Sequence, residues 1–460
     1  MKFKILTAIF CAVLPALVLK SAETAAPVSV EGFSFVKTVG DISEYTLDGN
    51  GLQVLLMTDH SAPVVTFMVT YRVGSRNEVT GTTGATHLLE HLMFKGSEKH
   101  NRSMGTNVDQ IVEAAGGILN ANTWLDRTCY FAAIGSEHLE TYISVEADRM
   151  RNLYLRESDR QPEMTVVRNE FEISENDPTQ VLDVEMTAVA FLAHPYHHST
   201  IGWRSDIEGV SIEKLREFYD TFYWPDNSTV SIVGDFDPAT ALGLVKRYYG
   251  IYPRAPKPIP QIYTEEPEQS GQRRVQVKRA GQLGVVGLAY KIPAGRHPDQ
   301  AALQVLGSIL TKGKNSRLYR ALTDQTLTTE VSSFVGFFHD PSLLNLWANL
   351  APGVTHEQVE KIITAEVERL KKDGVTAAEV SAAVNKKVAE IAYARDGSFA
   401  VSSSLVEDIA VGDWTLYYTM EEAYANVTPA DVMRVAHRYL NEDQSVVGWF
   451  VPVMPADAGK

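Results

Sequence analysis

Two histidines and a glutamate in one short segment have the types and the spacing that zinc chemistry requires. His87 and His91 lie four residues apart in a His-Leu-Leu-Glu-His run. On an α-helix this spacing places both imidazoles on one face, one turn apart, where they can bind the same ion, and imidazole is a common zinc ligand. Glu90 lies close to that face, so its carboxylate can take a proton from a zinc-activated water without being a ligand. The segment therefore predicts a zinc site with a general base beside it.

The alternative is a helix in which the two histidines are incidental. Leu88, Leu92 and Met93 give the segment an apolar packing face. Two histidines on one turn of such a helix are costly to bury without a partner. This favours a metal site over an incidental pair.

Zinc bound by two histidines needs a third protein ligand and one open position. The candidates lie in a segment that resembles a helix beginning at Pro162, and they are Glu163, Glu170, Glu172 and Glu175. Glu163 and Glu170 are seven residues apart and therefore share one helix face, two turns apart. Glu172 lies about 200° around the helix from Glu170 and is expected to face solvent. Most glutamates on helices are simply solvated, and spacing alone does not choose among these four.

The surrounding sequence predicts that two similar lobes position these residues. Residues 64–74 and 283–293 are β-branched, aromatic runs typical of strands. Each is followed by a helical pattern, at 84–94 and 300–311. Between the two halves lies a stretch with five prolines, which is too rich in proline for a helix or a central strand.

We therefore predict four segments along the chain. They are a signal peptide at 1–26, whose cleavage position is left open, an N-terminal zinc-binding lobe at 27–250, a proline-rich linker at 251–272, and a C-terminal lobe of similar fold without the zinc motif at 273–460. Each lobe is expected to be an α+β unit.

The signal peptide is predicted from a basic start and a short apolar run. Lys2 and Lys4 precede an apolar run of 15 residues from Ile5 to Leu19, and small residues follow it. The alternative is a membrane anchor, but the run is shorter than the roughly 20 residues that span a bilayer. No later stretch is long and apolar enough to span, so no integral membrane segment is expected after cleavage. Cys129 is then the one remaining cysteine, and its neighbours predict a buried strand position.

Composition excludes one large class of function. The 460 residues are 45% hydrophobic and 22% charged, which is typical of a folded globular protein, and the formal net charge is −15. Binding to nucleic acid needs clustered lysine and arginine to neutralise phosphates. A nucleic-acid partner is therefore not expected.

The His-x-x-Glu-His order resembles that of the inverzincins, the pitrilysin/insulinase family of zinc peptidases. The other segments that match the family extend through nearly the whole chain after the signal peptide. They include Gly117–Thr123, His194–Tyr196, Tyr223–Asn227, Gly234–Phe236, Asn315–Leu318, Gly412–Trp414 and Val427–Val432. The resemblance implies an α+β fold with two homologous lobes, each a mostly antiparallel β-sheet flanked by helices, arranged around a peptide-binding chamber.

The resemblance also assigns roles to residues. It implies one Zn²⁺ per chain, with Glu170 as the third ligand and Glu163 as a supporting residue seven positions earlier. The strand that contains Asn120, Ala121 and Asn122 would bind the substrate as an added β-strand, which gives affinity with little sequence preference.

One departure from the family pattern concerns the second lobe. Active members carry an Arg and a Tyr there that polarise the substrate carbonyl, but this chain has Thr323 and Thr329 near those positions. The sequence therefore predicts a zinc-dependent endopeptidase subunit that hydrolyses unfolded peptides with a zinc-activated water. A homologous partner subunit, lacking the zinc motif, would supply the Arg and Tyr, and the pair would work in a bacterial periplasm. The alternatives are a non-catalytic scaffold or chaperone-like subunit and a self-sufficient homodimeric peptidase.

Overall fold

The computed structural model describes residues 27–453. The predicted signal peptide, residues 1–26, lies outside the described residues. Within them the chain forms one seven-stranded and one five-stranded β-sheet, each flanked by helices. The prediction of an α+β fold with two lobes is confirmed.

The first lobe contains the seven-stranded sheet. Its strands are β1 (Phe33–Val39), β2 (Ile42–Leu47), β3 (Gln53–Thr58), β4 (Val64–Tyr71), β5 (Ile118–Thr123), β6 (Thr128–Gly135) and β7 (Ser228–Gly234). Their order across the sheet is β1-β2-β3-β7-β4-β6-β5, and every neighbouring pair is antiparallel except β3 with β7. Strand β5 therefore lies at an edge, with one side of its backbone unpaired by the described strands.

The second lobe contains the five-stranded sheet. Its strands are β8 (Arg273–Ala280), β9 (Val285–Ile292), β10 (Thr328–Val335), β11 (Ser342–Leu350) and β12 (Ser445–Val453). The order is β10-β11-β9-β12-β8, with only β12 and β8 parallel. Residues 251–272, between the two sheets, contain neither helix nor strand.

The helices of the described residues are divided between the lobes. Those of the first are α1 (Ala85–Leu92), α2 (Val108–Ala114), α3 (Leu139–Arg151), α4 (Glu157–Ser174), α5 (Pro178–Ala190), α6 (Arg204–Gly209), α7 (Ile212–Phe222) and α8 (Pro238–Tyr249). Those of the second are α9 (Gln300–Thr311), α10 (His356–Asp373), α11 (Ala377–Ala394), α12 (Ser398–Val411), α13 (Leu416–Ala425) and α14 (Pro429–Tyr439). None of these helices combines the length and apolar character needed to cross a membrane.

One helix of each lobe packs on the sheet of the other lobe. Helix α5 of the first lobe packs on β8, β9 and β12, and α12 of the second lobe packs on β4 and β7. Met186 of α5 lies against Gly287 and Gly448, which face each other on β9 and β12. A Cβ at either glycine would come within 2.6 Å of the Met186 sulfur, so a larger residue there would displace the Met186 side chain. The exchange holds the two sheets in one packed unit.

Helix α4 begins earlier than the sequence predicts. We expected the helix to begin at Pro162, but it starts at Glu157 and includes Pro162 in its second turn. Proline lacks the N–H that would bond to the carbonyl four residues earlier, so one helical hydrogen bond is missing near the N-terminus of α4. Ion pairs of Arg156 with Asp159 and of Arg160 with Glu157 support this first turn. That prediction was wrong, but the face shared by Glu163 and Glu170 is unchanged.

Several other expectations are confirmed. Helix α9 has the predicted bounds, and Cys129 is buried in β6 with 1% of its surface exposed. Glu172 faces solvent, as its position on α4 predicts.

Candidate metal centre

The first turn of α1 is fixed by a buried carboxylate and a glycine. The Glu78 carboxylate accepts hydrogen bonds from the backbone N–H groups of Gly84 (2.8 Å) and Thr86 (2.7 Å), so it satisfies two donors that a helix start leaves unpaired. Burial raises the pKa of Glu78 to about 8. Gly84 has φ of 83°, and a Cβ there would lie 2.3 Å from the carbonyl oxygen of Ile201. Only glycine fits this contact, which holds the loop at Ile201 beside the helix.

The structure brings His87 and His91 together with Glu170. The rings of the two histidines lie 4.8 Å apart, and each Nε2 is 3.7 Å from the same oxygen of the Glu170 carboxylate. The three ligand atoms all lie within 4.8 Å of one another. Glu172 and Glu175, the other open candidates, pair instead with Arg204 and Arg279.

Glu163 lies on the other side of His91. Its carboxylate is 3.1 Å from His91 Nδ1 and also contacts the Lys95 ammonium. A carboxylate at Nδ1 favours the tautomer that has its hydrogen on Nδ1 and a free electron pair on Nε2. Glu163 therefore contacts a candidate ligand and lies outside the set of three candidate ligand atoms.

The donor set fits zinc. Two imidazole nitrogens and one carboxylate oxygen are a common catalytic zinc set that leaves a fourth position open. In a tetrahedral zinc site neighbouring ligand atoms lie roughly 3.3–3.5 Å apart, and the distance from each histidine Nε2 to the Glu170 oxygen is 3.7 Å. Burial, with the charge of His91, lowers the pKa of His87 to about 4, so its imidazole is neutral at pH 7 as ligation requires.

Glu90 is held by the edge strand rather than by the metal candidates. Its side chain is buried, and the hydroxyl of Thr123, the last residue of β5, donates a 3.0 Å hydrogen bond to its carboxylate. Burial raises the pKa of Glu90, while His91 and the bond from Thr123 oppose that rise. A raised pKa suits a carboxylate that must both accept and return a proton near neutral pH.

The predicted substrate strand borders the same cavity. Asn120, Ala121 and Asn122 of β5 line a cavity of about 590 Å³ together with the residues of the metal candidate. Asn120 and Asn122 are exposed, and β5 is at a sheet edge, where its free backbone groups can pair with an extended chain.

The hydroxyls of the two threonines in the second lobe form hydrogen bonds within that lobe. The Thr323 hydroxyl is 2.9 Å from that of Thr328, and the Thr329 hydroxyl donates to the carbonyl of Asn349 at 3.3 Å. Neither side chain carries the charge or the phenol that the family pattern has there. Neither threonine can therefore replace the Arg or the Tyr of the family pattern.

Three residues of the site were not singled out from the sequence. They are Thr123, which contacts Glu90; Lys95, which contacts Glu163; and Glu78, which caps α1. Thr123 lies within the segment that resembles the family, but nothing in the sequence pairs it with Glu90. A carboxylate a few residues before a helix start is the one signal that could have indicated Glu78.

Comparison with known proteins gives consistent matches along the chain. The family described as "Insulinase (Peptidase family M16)" matches residues 53–203, and that described as "Peptidase M16 inactive domain" matches residues 209–387. A Helicobacter pylori protein named zinc protease PqqE is 32% identical over 408 residues, which cover 88% of this chain and 91% of that protein.

Solved structures show the same fold. The crystal structure of a protease from Helicobacter pylori superposes with a TM-score of 0.85 at 31% identity, covering 90% of this chain and all (100%) of that one. The periplasmic protease PqqL from Escherichia coli superposes with a TM-score of 0.74 at 17% identity, covering 92% of this chain and 50% of that one. The latter match concerns the fold alone.

Proposed function

Because this chain belongs to the insulinase family of peptidases, M16, we propose that it is the zinc-bearing subunit of an endopeptidase that hydrolyses unfolded peptides. The observation that carries the proposal is the convergence of His87, His91 and Glu170 beside the buried carboxylate of Glu90. A similar protein named as a zinc protease supports the choice of metal.

Each residue of the candidate site has a separate role in the proposed reaction. His87, His91 and Glu170 would hold one zinc ion per chain, which supplies Lewis-acid activation of the attacking water and of the substrate carbonyl. Glu90 accepts the proton of the water at its carboxylate and returns it to the leaving amine. Glu163 orients His91, and Thr123 orients Glu90. Strand β5 pairs with the peptide through its free backbone edge, and the site binds extended chains for that reason.

Metal content is the first test. In the purified full chain we expect about one zinc per chain, a strong loss in Glu170→Gln and His91→Ala, and no loss in Glu172→Gln. Glu172 is the matched control because it lies on the same helix and its carboxylate pairs with Arg204 at the surface. Elemental analysis of the dialysed proteins measures this. Full zinc retention in Glu170→Gln would move the third ligand to another residue, with Glu163 examined next.

A partner subunit belongs to the same proposal. The second lobe lacks the Arg and Tyr, so we propose that a homologous chain without the zinc motif supplies them. The M16 inactive-domain match over residues 209–387 leaves open a second candidate function, a non-catalytic scaffold or chaperone-like subunit. The complete set of metal candidates favours the catalytic role. A self-sufficient homodimer would need other residues to replace the missing pair.

We further propose that the protein is exported and acts in a bacterial periplasm. Lys2, Lys4 and the apolar run at 5–19 support this. Intact-mass measurement on protein from its natural host should give a chain that begins between Ser21 and Pro27 and lacks Cys11. A mass that includes residues 1–20 would mean that the segment is retained as an anchor.

A further inference from the structure

A second cavity, larger and more apolar than the first, lies between the two lobes. Its volume is about 840 Å³, and its walls come from α4, α5, residues 196–203 and the start of α6 in the first lobe and from β10 and β11 of the second. The aromatic side chains in its walls are Trp124, Phe171, Phe191, Tyr196, Trp203, Phe334, Phe338 and Trp347. None of these residues has a role in the zinc chemistry proposed above.

The second cavity adjoins the candidate metal centre. Thr200 and Ile201 line both cavities, and Phe171, in the wall of the second, directly follows Glu170. Trp124, also in that wall, directly follows Thr123 at the end of β5. A peptide that pairs with β5 beside the metal centre and continues past Thr123 therefore reaches the second cavity.

A network of polar contacts beside the cavity links the two lobes. The Tyr196 hydroxyl donates a 2.6 Å hydrogen bond to Asp126, and the other oxygen of Asp126 accepts from the backbone N–H of His339 at 2.9 Å. Arg76 of the first lobe pairs with Asp340 of the second at 2.8 Å. These polar contacts hold the loop that carries Phe338 against the first lobe. A ligand that binds in the cavity therefore loses little free energy in ordering this loop.

Part of the apolar wall is exposed to solvent. Trp124 is 42% exposed, Trp203 38% and Phe334 45%, and they come from both lobes. Large apolar side chains that converge on a preformed cavity are typical of sites that bury an apolar group of a ligand.

We propose that this cavity is a specificity pocket that takes a large apolar side chain, aromatic or long aliphatic, from the peptide bound at the metal centre. The proposal rests on the proposed function, because the metal centre and β5 are what bring a peptide to it. The side chain would enter between Trp203 of the first lobe and Phe334 of the second. Backbone pairing with β5 would supply general affinity, and this pocket would supply preference at one position of the peptide.

The wall of the cavity carries charges of both signs, from Glu175, Glu185, Arg204 and Arg279 as well as Asp183, and Asp183 is the one that opposes an acidic occupant. Asp183 of α5 is in the wall and, within residues 27–453, has neither a hydrogen bond nor an ion pair. Burial raises its pKa to about 6, so the group is largely ionised at pH 7 and already poorly solvated. An acidic side chain placed beside Asp183 would meet a like charge in an apolar setting. An acidic residue of the peptide is therefore the least favourable occupant of the cavity.

The test measures peptide binding without hydrolysis. The zinc-loaded full chain carrying Glu90→Gln is titrated into fluorescein-labelled peptides of one neutral sequence, in which Phe, Ala or Asp is moved along successive positions. Anisotropy at pH 7 should show one position where Phe binds at least about tenfold tighter than Ala, the effect of burying one large apolar side chain, and where Asp binds more weakly than Ala. Adding Trp203→Ala or Phe334→Ala should reduce the Phe preference to within about twofold.

Phe35→Ala is the matched control. Phe35 is a phenylalanine on the edge strand of the first sheet with 43% exposure, close to the 45% of Phe334, and it is absent from the cavity wall. The control should keep the full Phe preference. Equal binding of the Phe and Ala peptides at every position, or a preference that survives both cavity variants, would overturn the proposal.

Two further outcomes separate this proposal from the proposed function. Selective binding by a chain that never hydrolyses peptides would keep the pocket and reject the peptidase. Hydrolysis by the complex, with no preference for the Phe peptides in binding, would keep the peptidase and reject the pocket. If the chain is a dimer in sedimentation experiments and Trp203→Ala or Phe334→Ala dissociates it, the cavity is a subunit interface and the proposal is wrong.

Discussion

Replacing Glu90 by Gln is expected to abolish peptide hydrolysis while leaving zinc bound. Gln keeps the size of the side chain and can still contact the Thr123 hydroxyl, which lies 3.0 Å from the carboxylate in the native protein. It cannot accept a proton, and loss of a general base lowers the rate by about 10²–10⁴-fold. The measurement pairs a fluorogenic-peptide assay of the complex from the natural host with elemental analysis of the same sample.

The control for this variant is again Glu172→Gln. It makes the same chemical change on an exposed residue of α4 and should keep both zinc and activity. Two results would contradict the assignment. Retained hydrolysis in Glu90→Gln would mean that another group removes the proton, and loss of zinc together with activity would mean that Glu90 holds the metal or the local fold.

The second large effect concerns the partner subunit. We expect the isolated chain to fold, bind zinc and show little or no peptidase activity, because the oxyanion that develops on the substrate lacks the donors that an Arg and a Tyr would provide. Loss of one such donor costs about 10²–10³-fold in rate. Adding the partner should therefore raise the activity by orders of magnitude, and the two chains should purify together as a heterodimer.

The decisive variants are in both chains. In the partner, Arg→Ala or Tyr→Phe at the supplied pair should return the complex to nearly the rate of the isolated chain, and Glu90→Gln in this chain should silence it. The assay compares each chain alone with the mixture. Robust turnover by this chain alone, unchanged by the partner, would refute the shared site and favour the self-sufficient homodimer.

The sequence could predict the elements of the site where local geometry alone sets the outcome. The four-residue spacing of His87 and His91 dictates a shared helix face, and the structure has both rings there, 4.8 Å apart. The seven-residue spacing of Glu163 and Glu170 likewise survives the incorrect start of α4, because the helical repeat does not depend on where the helix begins. Only the family resemblance, and not spacing, selected Glu170 from the four glutamates.

The tertiary structure decided everything that depends on contacts distant in sequence. Strand order places β5 at a sheet edge, and the distance along the chain from Glu90 to Thr123 gives no sign that the two side chains meet. The exchange of α5 and α12 between the lobes is invisible in the periodicity of either helix, since each simply shows an apolar face that needs some partner.

The cavity between the lobes is the clearest case. Trp203 and Phe334 are 131 residues apart in the chain (334 − 203), and each is an ordinary exposed aromatic residue when read alone. Sequence by itself determined which short segments could do chemistry, because helix and strand periods fix side-chain directions within an element. Which elements face one another, and so which residues share a pocket, was decided only by the packing of the two lobes, since sheet order and helix docking depend on the whole buried surface.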